Sequence, residues 1–342
     1  MELSGPRTMA TMKDVARAAG VSIYTVSATL SGAAYVSPEL RARVNEAIEK
    51  LDYQRNSMAS GLKRGASSLI GLVVSDVTNP FFTELVECIQ NEARLAGYSV
   101  LLGISGHDVA READLLRLMG SHQAAGTILC PAGNEDDYKD GRLAKRRMKI
   151  VAIDNAPART GIDTVALDNR QAARLAVEHL LAFGHRGIAT IAGLAYQYVS
   201  RQRLQGYQEA LDSQGIKVRA ELVCHGNFRV EDAYRASRRL LALPQCPTAV
   251  FVANNLMLIG AMRAFSEAGV KVPQDMSVAS IDDFPWASAF QPALTVVRQP
   301  VAAMASAAFG LLMKRLEGGV GKPVHRVFSP ELVVRESAAA AR

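Results

Sequence analysis

Three residues stand where chemistry collects in a protein of this pattern. Asp154 ends the apolar run KIVAID, Asn254 follows TAVFVA, and Asp282 ends MSVASID. Each run is short and apolar, as in a buried parallel strand. In sheets of that kind ligands bind beyond the carboxyl ends of the strands. Carboxylate and amide groups converging in a cleft suit a hydroxyl-rich ligand. Phe81 and Phe82 follow Asn79-Pro80 near the first strand, and their faces could stack on a sugar or purine ring; Phe228, Trp286 and Phe290 could add to this. Plainer roles compete. An Asp after a strand also caps a turn, as Asp283 would, and Phe82 falls on the apolar stripe of its helix, so it also reads as core.

Other chemistries lack their residues. The sequence has no P-loop, no GxSxG, no HExxH and no dinucleotide fingerprint. His107, His122, His179, His225 and His325 have no metal-ligand spacing, and Gly184-His185-Arg186 reads as a helix-ending glycine with a structural histidine. No metal, no cofactor and no enzymatic activity are expected.

The elements that must position these residues alternate along the chain. SLIGLVVS is followed by an amphipathic helix carrying Phe82, Leu85, Val86, Ile89 and Ala93 on one face. Then come YSVLLGI, a helix around Leu115–Met119, GTILC, a helix around Leu143, KIVAID, and further helices at 169–183, 201–213, 231–242 and 255–268 between strands. This is the signature of doubly wound parallel α/β sheets, and about ten units suit two sheets better than one.

Residues 11–52 read differently, as three short helices. Thr11 with Asp14 caps MKDVARAA, and Gly20 stops it. Ser22 caps IYTVSATL, which ends near Gly32, and Ser37-Pro38-Glu39 opens a third helix with Val44, Ala47, Ile48 and Leu51 inward. On the second helix Val26 and Leu30 face inward. Two short helices across a glycine-containing turn form a helix-turn-helix, whose second helix suits the DNA major groove; an ordinary helical bundle has the same spacing. Residues 53–65, YQRNSMASGLKRG, read as a linker that is helical only conditionally.

The 342 residues suffice for more than one core, with 49% hydrophobic content. No apolar run reaches membrane-spanning length and the first twenty residues hold no signal-peptide core, so a cytoplasmic protein without a membrane partner is expected. The four cysteines, Cys88, Cys130, Cys224 and Cys246, are far apart, which argues against a disulfide scaffold. The net charge is +6, and residues 1–65 contribute nine basic against six acidic side chains, a small basic module ahead of a nearly neutral body.

Taken in order, MKDVARAAGVSIYTVSATLSG, VSPELRARVNEAIEKLDYQRN, SLIGLVVSDVTNPFFTELV, DNRQAARLAVEHLLAFGHRGIATIAG, RLQGYQEAL, TAVFVANNLMLIGAMRAF and VASIDDF resemble the LacI/GalR family of bacterial transcription regulators. The resemblance runs from about Thr11 to Glu336. It implies a helix-turn-helix headpiece (11–53), a hinge helix (54–65) and a two-subdomain effector domain shaped like a periplasmic sugar-binding protein (66–336), after a disordered tail at 1–10. The N-subdomain would comprise 66–166 and 299–322, and the C-subdomain 167–298 and 323–336.

By this resemblance Ile23 and Tyr24 enter the major groove and Ala28 aligns with a later base reader. Many members carry a long polar residue, commonly Arg, in place of Ala28. Ile23 and Ala28 offer only apolar contacts, so few base hydrogen bonds are expected. Thr11, Ser22, Thr25 and Ser27 would hold phosphates, or simply cap. Leu62 aligns with a hinge leucine that wedges into the minor groove. Asn56 and Lys63 are further expected DNA contacts, although Arg55 and Ser60-Gly61 depart from the family's hinge pattern. In the effector domain Asp154, Asn254 and Asp282 would line the effector pocket. Arg201 or Arg203 would contact the effector. Spacing does not separate these two, and Arg201 is taken.

The resulting expectation is a homodimeric repressor that binds near-palindromic double-stranded operator DNA under control of a small molecule such as a sugar, a sugar phosphate or a nucleobase. Two rivals are a soluble sugar-binding protein, which leaves residues 11–65 unexplained, and a sugar-processing enzyme that would recruit Asp154 and Asp282 as an acid/base pair.

Overall fold

The computed structural model describes residues 10–32, 34–53, 67–138, 141–156 and 161–341. The chain forms two compact units, Met1–Ala66 and Ser67–Arg342. The expected tail (1–10, apart from Ala10) and the hinge, with Asn56, Leu62 and Lys63, lie outside the described residues.

The first unit contains α1 (Met12–Ala19), α2 (Ile23–Ser31) and α3 (Pro38–Lys50). The caps fall where the sequence places them. Thr11 and Asp14 form a reciprocal capping box, and Gly20 ends α1 at φ 60°, in the left-handed region that suits glycine. The Ser22 side chain accepts from Thr25 N at 3.0 Å. Val15, Val26 and Val44 are fully buried at the centre, with Ala16, Ala19 and Ala47 around them. Each such valine contributes about 1.5–3 kcal/mol, which short helices need because they are marginal alone. Arg43 ties α3 to the α1–α2 turn by donating to Ala19 O at 2.6 Å.

The second unit carries two six-stranded sheets. The first has the order β11-β5-β4-β3-β1-β2 and is wholly parallel. Its strands are β1 (Leu69–Val74), β2 (Ser99–Ile104), β3 (Gly126–Leu129), β4 (Lys149–Ile153), β5 (Asp163–Leu167) and β11 (His325–Phe328). The second has the order β12-β10-β9-β8-β6-β7, with β12 antiparallel at its edge. Its strands are β6 (Ile188–Ala192), β7 (Val223–His225), β8 (Ala249–Val252), β9 (Ser277–Ile281), β10 (Thr295–Arg298) and β12 (Glu331–Val333). The helices are α4 (Pro80–Leu95), α5 (Val109–Ser121), the single turn α6 (Glu135–Tyr138), α7 (Asn169–Ala182), α8 (Tyr198–Asp212), α9 (Val230–Leu241), α10 (Asn255–Glu267) and α11 (Val301–Leu316). Apolar clusters line both faces of the first sheet, and a larger one, with Tyr207, Phe251 and Phe265, fills the second subdomain. Gly206 lets α8 lie against α7: a Cβ there would stand 2.3 Å from Arg170 O.

Two details differ from the sequence reading. Residues 142–145 form turns rather than a helix around Leu143, and the helical turn falls earlier, at α6. The short strand β11 pairs with β5 in the first sheet, so the chain's third crossing falls after Phe328 rather than at 323. Asp163 explains why: it accepts two bonds from Arg315, both 2.7 Å, and one from Val324 N, and so fastens β11 to the N-subdomain. The C-subdomain also runs past 336, because Ser337 bonds to Val278 O and the Ala339 carbonyl meets His185 Nε2. His185 has the structural role its place after Gly184 suggests.

Candidate functional site

The carboxyl ends of the two sheets face each other across one cleft. From the N-subdomain come Ser75 and Asp76 after β1, Asn79, Phe81 and Phe82 at the start of α4, His107 after β2, and Asp154 and Asn155 after β4. From the C-subdomain come Gln197, Val199 and Arg203 around the start of α8, Phe228 after β7, Asn254 and Leu256 after β8, and Asp282 after β9, with Gln299 on the crossover to α11. The structure therefore brings Phe81, Phe82, Asp154, Asn254 and Asp282 together. Both phenylalanines are buried and meet edge to face at 5.0 Å, so Phe82 serves core and cleft wall at once.

The backbone bends sharply at this rim. Asp154, Asp282, His107 and Phe228 all have positive φ, between 59° and 75°. Such conformations cost of order 1–3 kcal/mol for non-glycine residues and cluster at binding sites. They turn these side chains from the strand ends into the cleft.

Two sequence assignments need correction. Arg203, not Arg201, enters the cleft. It is 3% exposed, donates through Nε to Asn169 Oδ1 at 2.8 Å and through Nη1 to Ala253 O at 2.6 Å, and lies 4.0 Å from Asp282. Arg201, two residues earlier, points away on the exposed face and donates to Tyr196 O. Residues two apart on a helix face nearly opposite directions. Trp286 does not line the cleft. It is 47% exposed and packs edge-on against Phe284, as does Phe290. Asp283 caps its turn and pairs with Arg298 and Arg335.

The polar groups of the cleft are closely wired. Gln299 Nε2 donates to Asp282 Oδ1 at 2.6 Å, leaving its buried Oε1 without a partner among the described residues. Cys130 donates its thiol to Asp154 Oδ2 at 3.4 Å. Burial pushes Asp154 up to about 6, with Arg203 pulling down and Asp282 pushing up. Burial likewise raises Asp282, against the pull of Arg203 and the Gln299 hydrogen bond. His107 is lowered by burial and stacks against Phe228 at 6.0 Å.

The cleft is closed. Asn255 donates to Asn79 Oδ1 at 3.0 Å, Val199 N to Asn155 Oδ1 at 3.2 Å, Gln197 Nε2 to Ala132 O at 3.2 Å, and Tyr196 Oη to His107 O at 3.1 Å. All four bonds join one subdomain to the other. About 30 Å³ of space remains among the residues around Asp154 and Arg203, room for a few waters, and a wider space of about 450 Å³ opens beside it past Phe81, Asp282 and Gln299. Gln197, Asn155, His107 and Gln299 were not singled out from sequence. They sit in loops or at a helix start, where no periodicity marks them.

In the headpiece unit, Ile23 and Tyr24 stand on the first turn of α2, 45% and 74% exposed. Thr11, Ser22 and Thr25 are engaged in capping: Ser22 Oγ lies 2.9 Å from Thr25 Oγ1, and Thr11 Oγ1 donates to Asp14. Ser27 is half-buried. Ala28 is 6% exposed, so its methyl offers almost no surface to a base, contrary to expectation. So short a side chain does not rise above its neighbours on the helix.

Comparison with known proteins matches both parts. The model for bacterial regulatory proteins of the lacI family matches residues 11–56, and a periplasmic binding protein-like domain matches 177–338. The HTH-type transcriptional repressor PurR of Erwinia tasmaniensis is 34% identical over 337 residues, covering 97% of each chain. That of Photobacterium profundum is 31% identical over 331 residues, covering 96% of this chain and 98% of its own. Among solved structures, the lac repressor dimer bound to operator and the anti-inducer ONPF has a TM-score of 0.86 at 28% identity, covering 97% of this chain and all of that one. The transcriptional regulator CelR in complex with cellobiose has a TM-score of 0.72 at 31% identity, covering 96% and 99%. No helix among the described residues is long and apolar enough to cross a membrane. With full-length relatives above 30% identity and both parts matched in order, this chain belongs to the lacI family of bacterial regulatory proteins.

Proposed function

We propose that the protein is a dimeric, DNA-binding transcriptional repressor whose operator affinity is set by a small uncharged, hydroxyl-rich molecule, a sugar or a close analogue, held between the two subdomains. One observation carries the DNA part. A second helix capped by Ser22 presents Ile23 and Tyr24 outward, on a headpiece whose core is otherwise complete. In a helix-turn-helix that is the end of the helix that contacts base edges. Two headpieces in a dimer would read two half-sites of a near-palindrome, in the cytoplasm where the chromosome lies.

The chemistry of the cleft supports the ligand class. Gln299 Oε1 has no partner among the described residues, and Asp154 and Asp282 keep acceptor capacity beyond the bonds from Cys130 and Gln299, which hydroxyl groups can fill. Among the described residues lining this part of the cleft, Asp76, Asp154 and Asp282 face one guanidinium, Arg203, much of whose hydrogen-bonding capacity is already taken. A phosphate or carboxylate on the ligand would meet like charge in a poorly hydrated space. The same wiring favours binding over catalysis: both carboxylates are held by hydrogen-bond donors, and no turnover is expected in a screen of sugar derivatives.

Ligand entry must break or rearrange the hydrogen bonds that join the subdomains, the contact between Gln197 Nε2 and His107 Nδ1 among them. The ligand therefore biases the subdomain arrangement, and by linkage DNA must change ligand affinity by the same factor. In vitro selection of duplex DNA by the purified protein at near-physiological salt tests the reading. Non-specific binding lies near 10⁻⁴–10⁻⁶ M, so a true site stands out. An enriched near-palindrome is the expected result. No enrichment, with or without cell metabolites, would sink it.

A further inference from the structure

The lower edge of the first sheet carries a charge cluster that neither the cleft nor the headpiece uses. Between α6 and β4 the chain reads RLAKRRMK, residues 142–149, with five cations and no acid. Residues 66–342 carry only three more basic than acidic side chains, so apart from this run that part of the chain is slightly acidic. Arg142, Lys145, Arg147 and Lys149 are exposed and Arg146 half-exposed, and none of the five makes an ion pair among the described residues. Elsewhere many arginines are paired, such as Arg170 with Glu209, Arg263 with Glu231 and Arg298 with Asp283. Unpaired like charges at such density repel one another, which disfavours the fold unless something anionic meets them.

Register places this cluster. Lys149 opens β4 opposite Gly126 of β3, and Gly126 neighbours Ile70 of β1. The run therefore lies at the edge where the strands begin, away from the cleft at their carboxyl ends. β1 opens at Leu69, so Ser67, where the chain arrives from the headpiece, is at the same edge. Residues 54–66 connect the two units, and thirteen residues reach at most about 45 Å.

We propose that this strand-entry edge is a second, sequence-independent DNA contact, in which Arg142, Lys145, Arg147 and Lys149 neutralise backbone phosphates flanking the site read by the headpiece. This rests on the DNA-binding reading above. An acidic protein is the other conceivable partner, but protein interfaces depend on buried aromatic and apolar anchors, and this run exposes none. Here the exposed side chains are long cations, as phosphate contacts require. The tether adds the second reason: once a headpiece binds, this edge is held within reach of DNA at high effective concentration.

The test uses the full-length protein and a random-sequence 40-base-pair duplex, with affinity followed from 50 to 200 mM salt. Each neutralised phosphate contributes about 0.9 to the slope of log K against log salt. The triple variant Arg142→Gln/Lys145→Gln/Arg147→Gln should lower that slope by about 2–3 and weaken binding most at low salt. A control of equal charge on the C-subdomain, Lys217→Gln/Arg238→Gln/Arg239→Gln, should leave the slope unchanged. All six residues are exposed, so both variants should keep the wild-type circular dichroism and neither should melt below the wild type. A slope in the first variant equal to that of the control overturns the proposal and leaves the edge to an acidic protein partner. Wild-type protein that retains no duplex at any salt would sink the regulator reading, and this proposal with it.

Discussion

The cleft and the reading face of α2 are built on opposite plans. In the cleft, polar groups are buried and already bonded: Asp282 to Gln299, Asn155 to Pro131 O and Gly133 O, Arg203 to Asn169 and Ala253. On α2, Ile23 and Tyr24 project into solvent, and Tyr24 has no hydrogen bond among the described residues. The cleft carries its specificity in fixed geometry before any ligand arrives. The helix carries only a shape and one hydroxyl, and gains specificity when a groove supplies the partners. Damage to the first should therefore show in the free protein, and damage to the second only in the complex.

The largest effect expected of that contrast is at Arg203. Arg203→Ala leaves Asn169 Oδ1 and Ala253 O without their donor and removes the cation 4.0 Å from Asp282. Breaking a buried charge pair by taking one partner costs about 3–5 kcal/mol. Thermal unfolding should show a drop of many degrees, and calorimetry should show no sugar binding. Arg201→Ala removes an exposed side chain bonded, among the described residues, to Tyr196 O, and should change either quantity little. Equal losses in the two variants would break the distinction between them.

Next in size is the carboxylate that burial holds up to about 6. An unfolded Asp titrates near 3.9. Between these values the folded protein keeps a proton that the unfolded chain has released. Asp154 therefore weakens the fold as pH rises from about 4 to 6, and the cost is fully present above 6. Allowing for the water that reaches its outer side, the cost is about 2 kcal/mol. Asp154→Asn should raise the melting temperature by several degrees at pH 7.5 and by little at pH 4. Wild-type affinity for a hydroxyl-rich ligand should fall as pH drops through 6, because protonation removes an acceptor. A melting temperature unchanged at pH 7.5 would show that the carboxylate is not strained by its burial.

The same contrast explains what was legible in the sequence. Strands such as KIVAI and helices such as Asn169–Ala182 announce themselves by periodicity, and caps such as Ser22 and Ser37 by residue type. Asp154 and Asp282 could be found because strand ends are where this architecture binds ligands. Arg203 was missed because spacing alone does not say which of two arginines on α8 faces inward. Gln299 and His107 were missed because loops carry no period. β11 escaped because HRVF is short and mostly exposed, and only the Asp163–Arg315 pair shows which sheet claims it. Burial of Ala28 depends on how its neighbours pack, which resemblance to other sequences does not convey.

The smallest effect, and the one that sharpens the comparison most, is at Tyr24. Its ring is 74% exposed and packs on nothing in the headpiece core. Tyr24→Ala should therefore leave the melting curve and ligand affinity where they are. Against the selected operator it should cost about 1–2 kcal/mol, roughly ten- to thirtyfold, as expected for the loss of one base-edge contact. Against random duplex it should cost far less, because that binding comes from phosphates. Tyr24→Phe divides the loss further: the ring can still meet a thymine methyl while the hydroxyl can no longer bond a base edge. If the phenylalanine variant binds the operator like wild type, readout at this position is apolar, as Ile23 beside it already is. If it binds like the alanine variant, the hydroxyl carries the recognition. An equal loss on operator and random duplex would mean that Tyr24 touches the backbone, and base reading would then have to reside elsewhere on the headpiece.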